Sequence, residues 1–569
     1  MSCISIISHI RGGKTNTLSK LSQHKIHIKG AMDNEEETTT EVLNEEKMEL
    51  NVDEIIERYV GSFGLPQLLQ VVLVSFAWVF DSQNTLVTIF TDAQPSGWRC
   101  KTSADPSLSS SWCMNNTASG GGGNKGQSAG HVCGLAAGSW EWIGGNSATT
   151  IAEWDLICHR KFLAAIPTSL FFIGSIFGCA FYGRLADAWL GRKKTLLLAC
   201  ILTSTTTFLT SFSPNIWVYS LLRFANGFAR SGNGICCLVL STEVVGRKWR
   251  GQVGQYGFFF FTAGFLSLPF IAYPTRTQWR YLYRIISLPP LVYTFLLVPL
   301  VSESPRWLLV RGKNKEALEV LQRFAGWKGK KLPDNIELII PSQATTGTGN
   351  EGGKNENIWT TRWAAKRMIT MMLFGFGVGF VYYGIQLNAE NLNFNLYLTV
   401  IINAAMEIPA VFIGGILLSF TNRRLLSSLS AISAGVSCLL CIIFSAASST
   451  TSSWPQLTIE AIGFMAAAIA FNVSYIYCVE LFPTNVRNFA VSMLRQSLML
   501  GASLSPLLVV VGRLSPSLSF AVFGALAIVS GTLSVWLPET KNAPLYETLK
   551  QQEEEEEVKR RRLMQNTVL

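Results

Sequence analysis

The chain has 569 residues, of which 49% are hydrophobic and only 15% charged, and its mean hydropathy is +0.28. That is too little charge for the solvated surface of a water-soluble protein of this length. The net charge of +10 does not point to nucleic acid, because the basic residues stand in short clusters between apolar runs, where the cytoplasmic loops of membrane proteins collect them.

Residues 1–66 read as a polar cytoplasmic tail, largely disordered. Residues 1–31 contain no Asp or Glu and resemble a transit peptide no more than an ordinary basic tail. From Asp33 the tail turns acidic (EEETTTEVLNEEKMEL).

A helix needs about 20 mostly apolar residues to cross a bilayer. Twelve such runs are expected, at 67–90, 162–182, 195–212, 216–240, 252–272, 281–300, 368–388, 396–419, 425–447, 455–478, 489–511 and 517–537. The first contains SFAWVFDSQNTLVTIF (75–90), apolar nearly throughout yet carrying Asp81. The loop that follows, 91–161, holds Cys100, Cys113, Cys133 and Cys158, which allow two disulfides in three pairings. It also holds Asn115-Asn116-Thr117, a glycosylation acceptor pattern at Asn115, beside the flexible run SGGGGNKGQSAG. The remaining cysteines read as small apolar filler.

Basic clusters follow spans 2 (GRKK, 191–194), 4 (GRKWR, 246–250), 6 (RWLLVRGKNK, 306–315) and 8 (NRR, 422–424), and Arg487 follows span 10. Loops 3–4, 7–8 and 9–10 hold no Lys or Arg. Both ends are therefore expected in the cytoplasm. Arg276, Arg280 and Arg284 in the 5–6 segment fit that rule less well.

The loops repeat. EVVGRKWR (243–250) and ELFPTNVR (480–487) both run from a Glu to an Arg, and ESPR (303–306) returns as PETK (538–541). The offsets, 480 − 243 = 237 and 539 − 303 = 236, nearly agree, and the basic pairs after spans 2 and 8 stand 423 − 192 = 231 apart. The expected layout is a six-helix bundle at 67–300, a cytoplasmic linker at 301–367, a second six-helix bundle at 368–537 and a cytoplasmic tail at 538–569. Two parallel halves of this kind rock about a central site. Asp187, Arg192, Glu243, Arg250, Glu303, Arg306, Glu480 and Arg487 could bridge helix ends and form a cytoplasmic gate.

These motifs resemble the major facilitator superfamily. GRLADAWLGRKK (183–194) is similar to its loop after span 2, with one extra residue between Asp187 and Gly191, and RFANGFARSGNG (223–234) to its span-4 pattern. Within the superfamily the chain resembles the plant-type organic cation/carnitine transporters, through the cysteine-bearing first loop, AEWDLIC (152–158) and MEIPA (406–410). ESPRWLL, ELFPTNVRN and PETKNAPLYETL fit both these and the sugar porters. The resemblance spans about residues 60–549. It implies an all-α membrane protein of twelve helices in the major facilitator fold, a secondary transporter of organic cations or carnitine-like zwitterions, coupled to protons.

A charged side chain at mid-bilayer is costly, about 2.5–3.5 kcal/mol on insertion scales, so such residues face the bundle interior. The resemblance to sugar porters implies that Asp81 pairs with Arg223 and carries the proton. The alternative is a permanent structural tie. From the cation-transporter resemblance, Glu407 faces the cavity with Tyr382, Tyr383 and Gln386, and Phe258 aligns with a cavity position. Glu407 also reads as a packing carboxylate satisfied by polar neighbours. Arg495 either snorkels to the cytoplasmic surface or enters the cavity, where it could hold a carboxylate. Met499 and Gly234 stand where animal relatives carry a charged residue and a Trp.

The five histidines (9, 24, 27, 131, 159) lie outside the spans, and no phosphate loop, metal cluster or nucleophile triad is visible. An enzyme is not expected, nor a cofactor, a metal or nucleic acid. PSQATTGTGNEGGK (341–354) reads as a flexible linker. A sugar/proton symporter and a non-transporting nutrient receptor on the same scaffold remain alternatives. The expected partners are the substrate, protons and lipid, with a monomer in the plasma or vacuolar membrane.

Overall fold

A computed structural model describes residues 48–95, 97–100, 133, 140–327, 329, 331–333, 336–338, 358–392, 394–447, 454–541, 546 and 548–567. Asn115, Cys113 and the Gly-rich runs at 119–130 and 341–354 lie outside the described residues.

Helices occupy all twelve expected positions. The first bundle contains α1 (Leu65–Leu86), α2 (Ile166–Leu185), α3 (Arg192–Thr210), α4 (Ile216–Glu243), α5 (Arg250–Ala272) and α6 (Trp279–Leu296). The second contains α7 (Arg362–Leu387), α8 (Leu396–Phe420), α9 (Arg423–Ala447), α10 (Trp454–Leu481), α11 (Thr484–Gly512) and α12 (Pro516–Leu533). Ten of these are long and apolar enough to cross a membrane. The exceptions, α3 and α4, carry Thr, Ser, Asn and Arg on buried faces. Polar groups in helices are tolerable in lipid when they turn inward.

Small residues set the closest helix approaches. A Cβ on Gly227 of α4 would fall on the backbone of Phe171 in α2, and one on Gly501 of α11 on the backbone of Phe376 in α7. Across the seam between bundles, α2 packs against α11 and α5 against α8.

The tails are more ordered than the composition suggests. Met48–Leu50 pairs in parallel with Ile336–Leu338 of the linker. Asn51 then caps the helix Val52–Ile55 in a capping box with Glu54. Ile55, Ile56 and Val60 pack on Leu308, Ala317 and Leu321 from the segment after α6. The expected disorder up to residue 66 is corrected on this point: apolar residues spaced among the acids find a partner surface. The C-terminal tail likewise forms a helix, Leu549–Thr567, tied down by Arg367 on Glu556 at 2.6 Å.

Candidate functional site

Glu407 of α8 is 5% exposed and both its oxygens are occupied. Tyr382 of α7 donates to Oε1. Thr262 of α5 donates to Oε2 at 2.9 Å, across the seam from the other bundle. Tyr382 stacks on Phe471 with 4.4 Å between ring centroids and on Phe464 at 5.6 Å. Tyr383 packs edge-on against Tyr382 and lies against Phe172 of α2, at 4.9 Å. Phe471 continues to Tyr475, which meets Phe258 of α5, and Phe258 meets Trp78 of α1. The result is a continuous aromatic wall contributed by both bundles around one carboxylate. Tyr382, Tyr383 and Phe258 were legible as candidates; Phe172, Phe471 and Tyr475 were not. Gln386 is buried one turn along α7 from Tyr382.

Two cavities are described, and neither is lined by Glu407. One, with room for about 30 Å³, lies at the outer end of the seam between Thr88, Asp92, Thr168, Glu390 and Arg513. The other is apolar and lies within the second bundle.

Asp81 is 3% exposed. Its partner is Arg230, not Arg223, which corrects the expected pair: Arg230 Nη1 stands 3.3 Å from Asp81 Oδ2. The two arginines are seven residues apart, about two helical turns on one face. Because α4 runs antiparallel to α1, Arg230 reaches the level of Asp81, while Arg223 reaches the carbonyl of Asn84 at 3.0 Å. Both guanidiniums lie over the ring of Phe171, at 4.1 and 5.1 Å. Arg230 also donates to Thr85 and approaches the sulfur of Met499. Arg230 lies in RFANGFARSGNG, but only the tertiary register of α4 against α1 shows which arginine is the partner.

Arg495 does not snorkel. Its Nη2 would stand 2.7 Å from a Cβ on Gly234 of α4, so it reaches inward across the seam into space that the glycine leaves. Among the described residues it makes no hydrogen bond or ion pair.

At the cytoplasmic face the repeated loops repeat a contact. Glu303 accepts from the backbone N–H groups of Arg192 and Lys193 at the start of α3, at 3.0 and 3.1 Å. Glu539 accepts from those of Arg423 and Arg424 at the start of α9, at 2.9 and 3.1 Å. Carboxylates favour helix N-termini because free N–H groups and the helix dipole meet them there. Arg192 bridges Asp187 at 2.9 Å and Glu243 at 3.7 Å, and Arg423 bridges Glu480 at 3.0 Å. Burial pushes the Glu303 carboxyl above its ordinary range, partly offset by the N–H donors.

Arg250 and Arg306 do not meet the loop glutamates. Both converge with Arg247 on Asp53 of the N-terminal tail, a residue not foreseen as part of the gate. Arg487 donates only to the Phe482 carbonyl among the hydrogen bonds described. These cytoplasmic contacts each stay within one half of the chain.

On the opposite face the halves are joined. Arg513 Nη2 donates to the Asp92 carbonyl at 2.8 Å, and Glu390 accepts from the Gln94 N–H at 2.9 Å. Glu153 of the AEWDLIC motif accepts from Trp279 at 2.6 Å and from Arg280 at 2.5 Å, giving one of the 5–6 arginines its partner. Of the four loop cysteines, Cys133 and Cys158 form a disulfide. No group of metal-ligand side chains is found among the described residues.

A family model described as "Sugar (and other) transporter" matches residues 118–551. Organic cation/carnitine transporter 2 of Arabidopsis thaliana is 41% identical over 513 residues, covering 88% of this chain and 94% of that protein. Organic cation/carnitine transporter 3 of the same plant is 40% identical over 504 residues, covering 88% and 93%. Among solved structures, the partially occluded inward-open xylose transporter XylE from E. coli superposes with a TM-score of 0.55 at 15% identity, covering 86% of this chain and all of that one. The chain is therefore a multi-pass membrane protein of the major facilitator superfamily and belongs to its organic cation/carnitine transporter family.

Proposed function

We propose that the protein moves organic cations or carnitine-like zwitterions across a membrane by alternating access around Glu407, coupled to protons through Asp81. The observation that carries the reading is a buried carboxylate walled by aromatic rings from both bundles. A quaternary ammonium group is attracted to such faces by about 0.5–2 kcal/mol per ring. Its charge is matched by Glu407, whose bond to Thr262 must break when the bundles separate. Arg495, unpaired among the described residues, suits the carboxylate of a zwitterion. The names of the plant relatives agree with this substrate class.

For coupling, protonation of Asp81 would remove the charge that holds Arg230 and free α1 from α4. The seam is closed at the outer face by Arg513 and Glu390, so the state described is one shut to the outside. Asp187, Arg192, Glu243, Glu303 and Glu480, with Asp53, Arg250 and Arg306, would act as cytoplasmic latches whose partners change in the other state.

The test is uptake into proteoliposomes under an imposed pH gradient, with carnitine, a choline-like cation, a polyamine and a hexose offered in parallel. Accumulation of carnitine or a cation, lost in Glu407→Gln, is expected. Uptake of the hexose alone would replace the substrate reading with a sugar symporter. Saturable binding with no uptake of any of the four would indicate a receptor.

A further inference from the structure

A second membrane carboxylate lies outside the site just described. Glu460 of α10 is 3% exposed and Asn403 of α8 is 1% exposed. Asn403 Nδ2 donates to Glu460 Oε1 at 2.9 Å. The other two polar atoms of the pair, Glu460 Oε2 and Asn403 Oδ1, are both buried and have no partner.

Both of these orphaned atoms are acceptors when the carboxyl is ionised, and each then lacks a donor. One added proton satisfies both. A neutral carboxylic acid facing a primary amide closes an eight-membered ring: N–H to the acid carbonyl on one side, acid O–H to the amide carbonyl on the other. Asn403 already makes the first of these bonds.

The surroundings favour the neutral form. No cation forms an ion pair with Glu460 among the described residues. The titratable groups that sense its charge are the thiols of Cys438 and Cys441 on the neighbouring α9, and its hydrogen-bond partner on α8 is the neutral amide of Asn403. Buried polar atoms are rarely left unpaired, and an unpaired charge within the bilayer is expensive.

We propose that Glu460 and Asn403 form a proton-binding site in the second bundle, the proton bonded to Glu460 Oε2 and shared with Asn403 Oδ1. The site adjoins the substrate site proposed above but does not rest on it. Asn403 precedes Glu407 by one turn of α8, and Glu460 precedes Phe464, which stacks on Tyr382, by one turn of α10. Loss of the proton would leave a carboxylate facing the Asn403 carbonyl and loosen α8 from α10 beside that site.

The experiment is infrared spectroscopy of the purified full chain in lipid, without substrate, across a pH series. The carbonyl stretch of a neutral carboxylic acid is expected in the wild type, lost in Glu460→Gln and shifted to higher frequency in Asn403→Leu, where the acid loses its amide partner. Glu460→Gln supplies an amide N–H in place of the acid O–H, so the ring survives. The melting temperature of the wild type relative to this variant should fall as pH rises, because the folded state alone holds the proton firmly. A wild-type spectrum without a band sensitive to Glu460→Gln would overturn the site. A band that Asn403→Leu leaves in place would overturn the ring, and so would a pH-independent difference in melting.

Discussion

Arg513 and Glu390 meet at 2.6 Å on the outer face, each side chain less than a seventh exposed, and together they hold the first bundle through two backbone groups, the Asp92 carbonyl and the Gln94 N–H. A latch made to backbone does not depend on which side chains the partner loop carries. Hydrogen bonds to charged groups contribute about 1.5–3 kcal/mol each. Arg513→Ala should therefore raise the population open to the outside by about tenfold or more. The rate at which a membrane-impermeant thiol reagent labels a cysteine placed at Thr168, in the cavity behind the latch, measures it. An unchanged labelling rate would show that the latch does not hold this face shut.

The bond from Thr262 to Glu407 is the polar contact joining the bundles at the proposed substrate site. Thr262→Val keeps the shape and removes the donor. Apparent substrate affinity should rise by about 3–10-fold, because the substrate ammonium no longer competes with a hydroxyl. Tyr382→Phe removes the other donor and keeps the stacked ring, so its effect should be of similar size. Glu407→Gln should cost at least tenfold in uptake of a cation. Initial-rate uptake across a substrate series reads all three, and an unchanged apparent affinity in all three variants would mean that the ring stack alone recognises the substrate.

How far the sequence reaches can be judged from α1 and α4. Apolar run length and basic loops locate these helices, and the cost of a mid-membrane charge marks Asp81 and Arg223 as inward-facing. Both arginines of RFANGFARSGNG lie on one helical face, and the sequence contains nothing that fixes the axial offset of α4 against α1. That offset is set by tertiary contacts: Arg223 reaches the Asn84 carbonyl at 3.0 Å and the Cys237 thiol the Val74 carbonyl at 3.2 Å, which fix the depth of α4 against α1. The aromatic wall is hidden for a related reason. Phe172, Phe471 and Tyr475 belong to helices so apolar that a ring facing the centre looks like a ring facing lipid. Asp53 is obscured by an acidic stretch whose composition signals disorder, although its apolar residues recur at spacings that a partner surface can use.

Asp81 and Arg230 form a buried pair, with side chains 4% and 2% exposed. Removing one partner of such a pair typically costs about 3–5 kcal/mol, because the remaining charge is stranded, whereas removing both can be nearly neutral. Asp81→Asn and Arg230→Gln should each lower the melting temperature, and the double variant should recover most of the loss. Arg223→Gln should not be rescued by Asp81→Asn. If Arg223 rather than Arg230 shows the coupling with Asp81, the pairing seen here is not the one that operates.

Glu303 and Glu539 cap α3 and α9 in the two halves, and burial displaces the Glu303 carboxyl. Its folded-state value lies above the ordinary carboxylate value, since desolvation outweighs the N–H donors from Ser304, Lys193 and Arg192. For a group shifted in this direction the folded state binds the proton more tightly than the unfolded state. The contribution to stability is then fully present below the ordinary carboxylate value and is lost as pH rises through the raised one. Glu303→Gln carries no such proton, so the melting temperature of the wild type relative to this variant should decline across that window. Glu303→Gln also loses a charge at a helix N-terminus, about 0.3–1 kcal/mol at any pH where the carboxylate is ionised. A melting difference between the wild type and Glu303→Gln that does not change with pH would mean that burial does not hold a proton on Glu303.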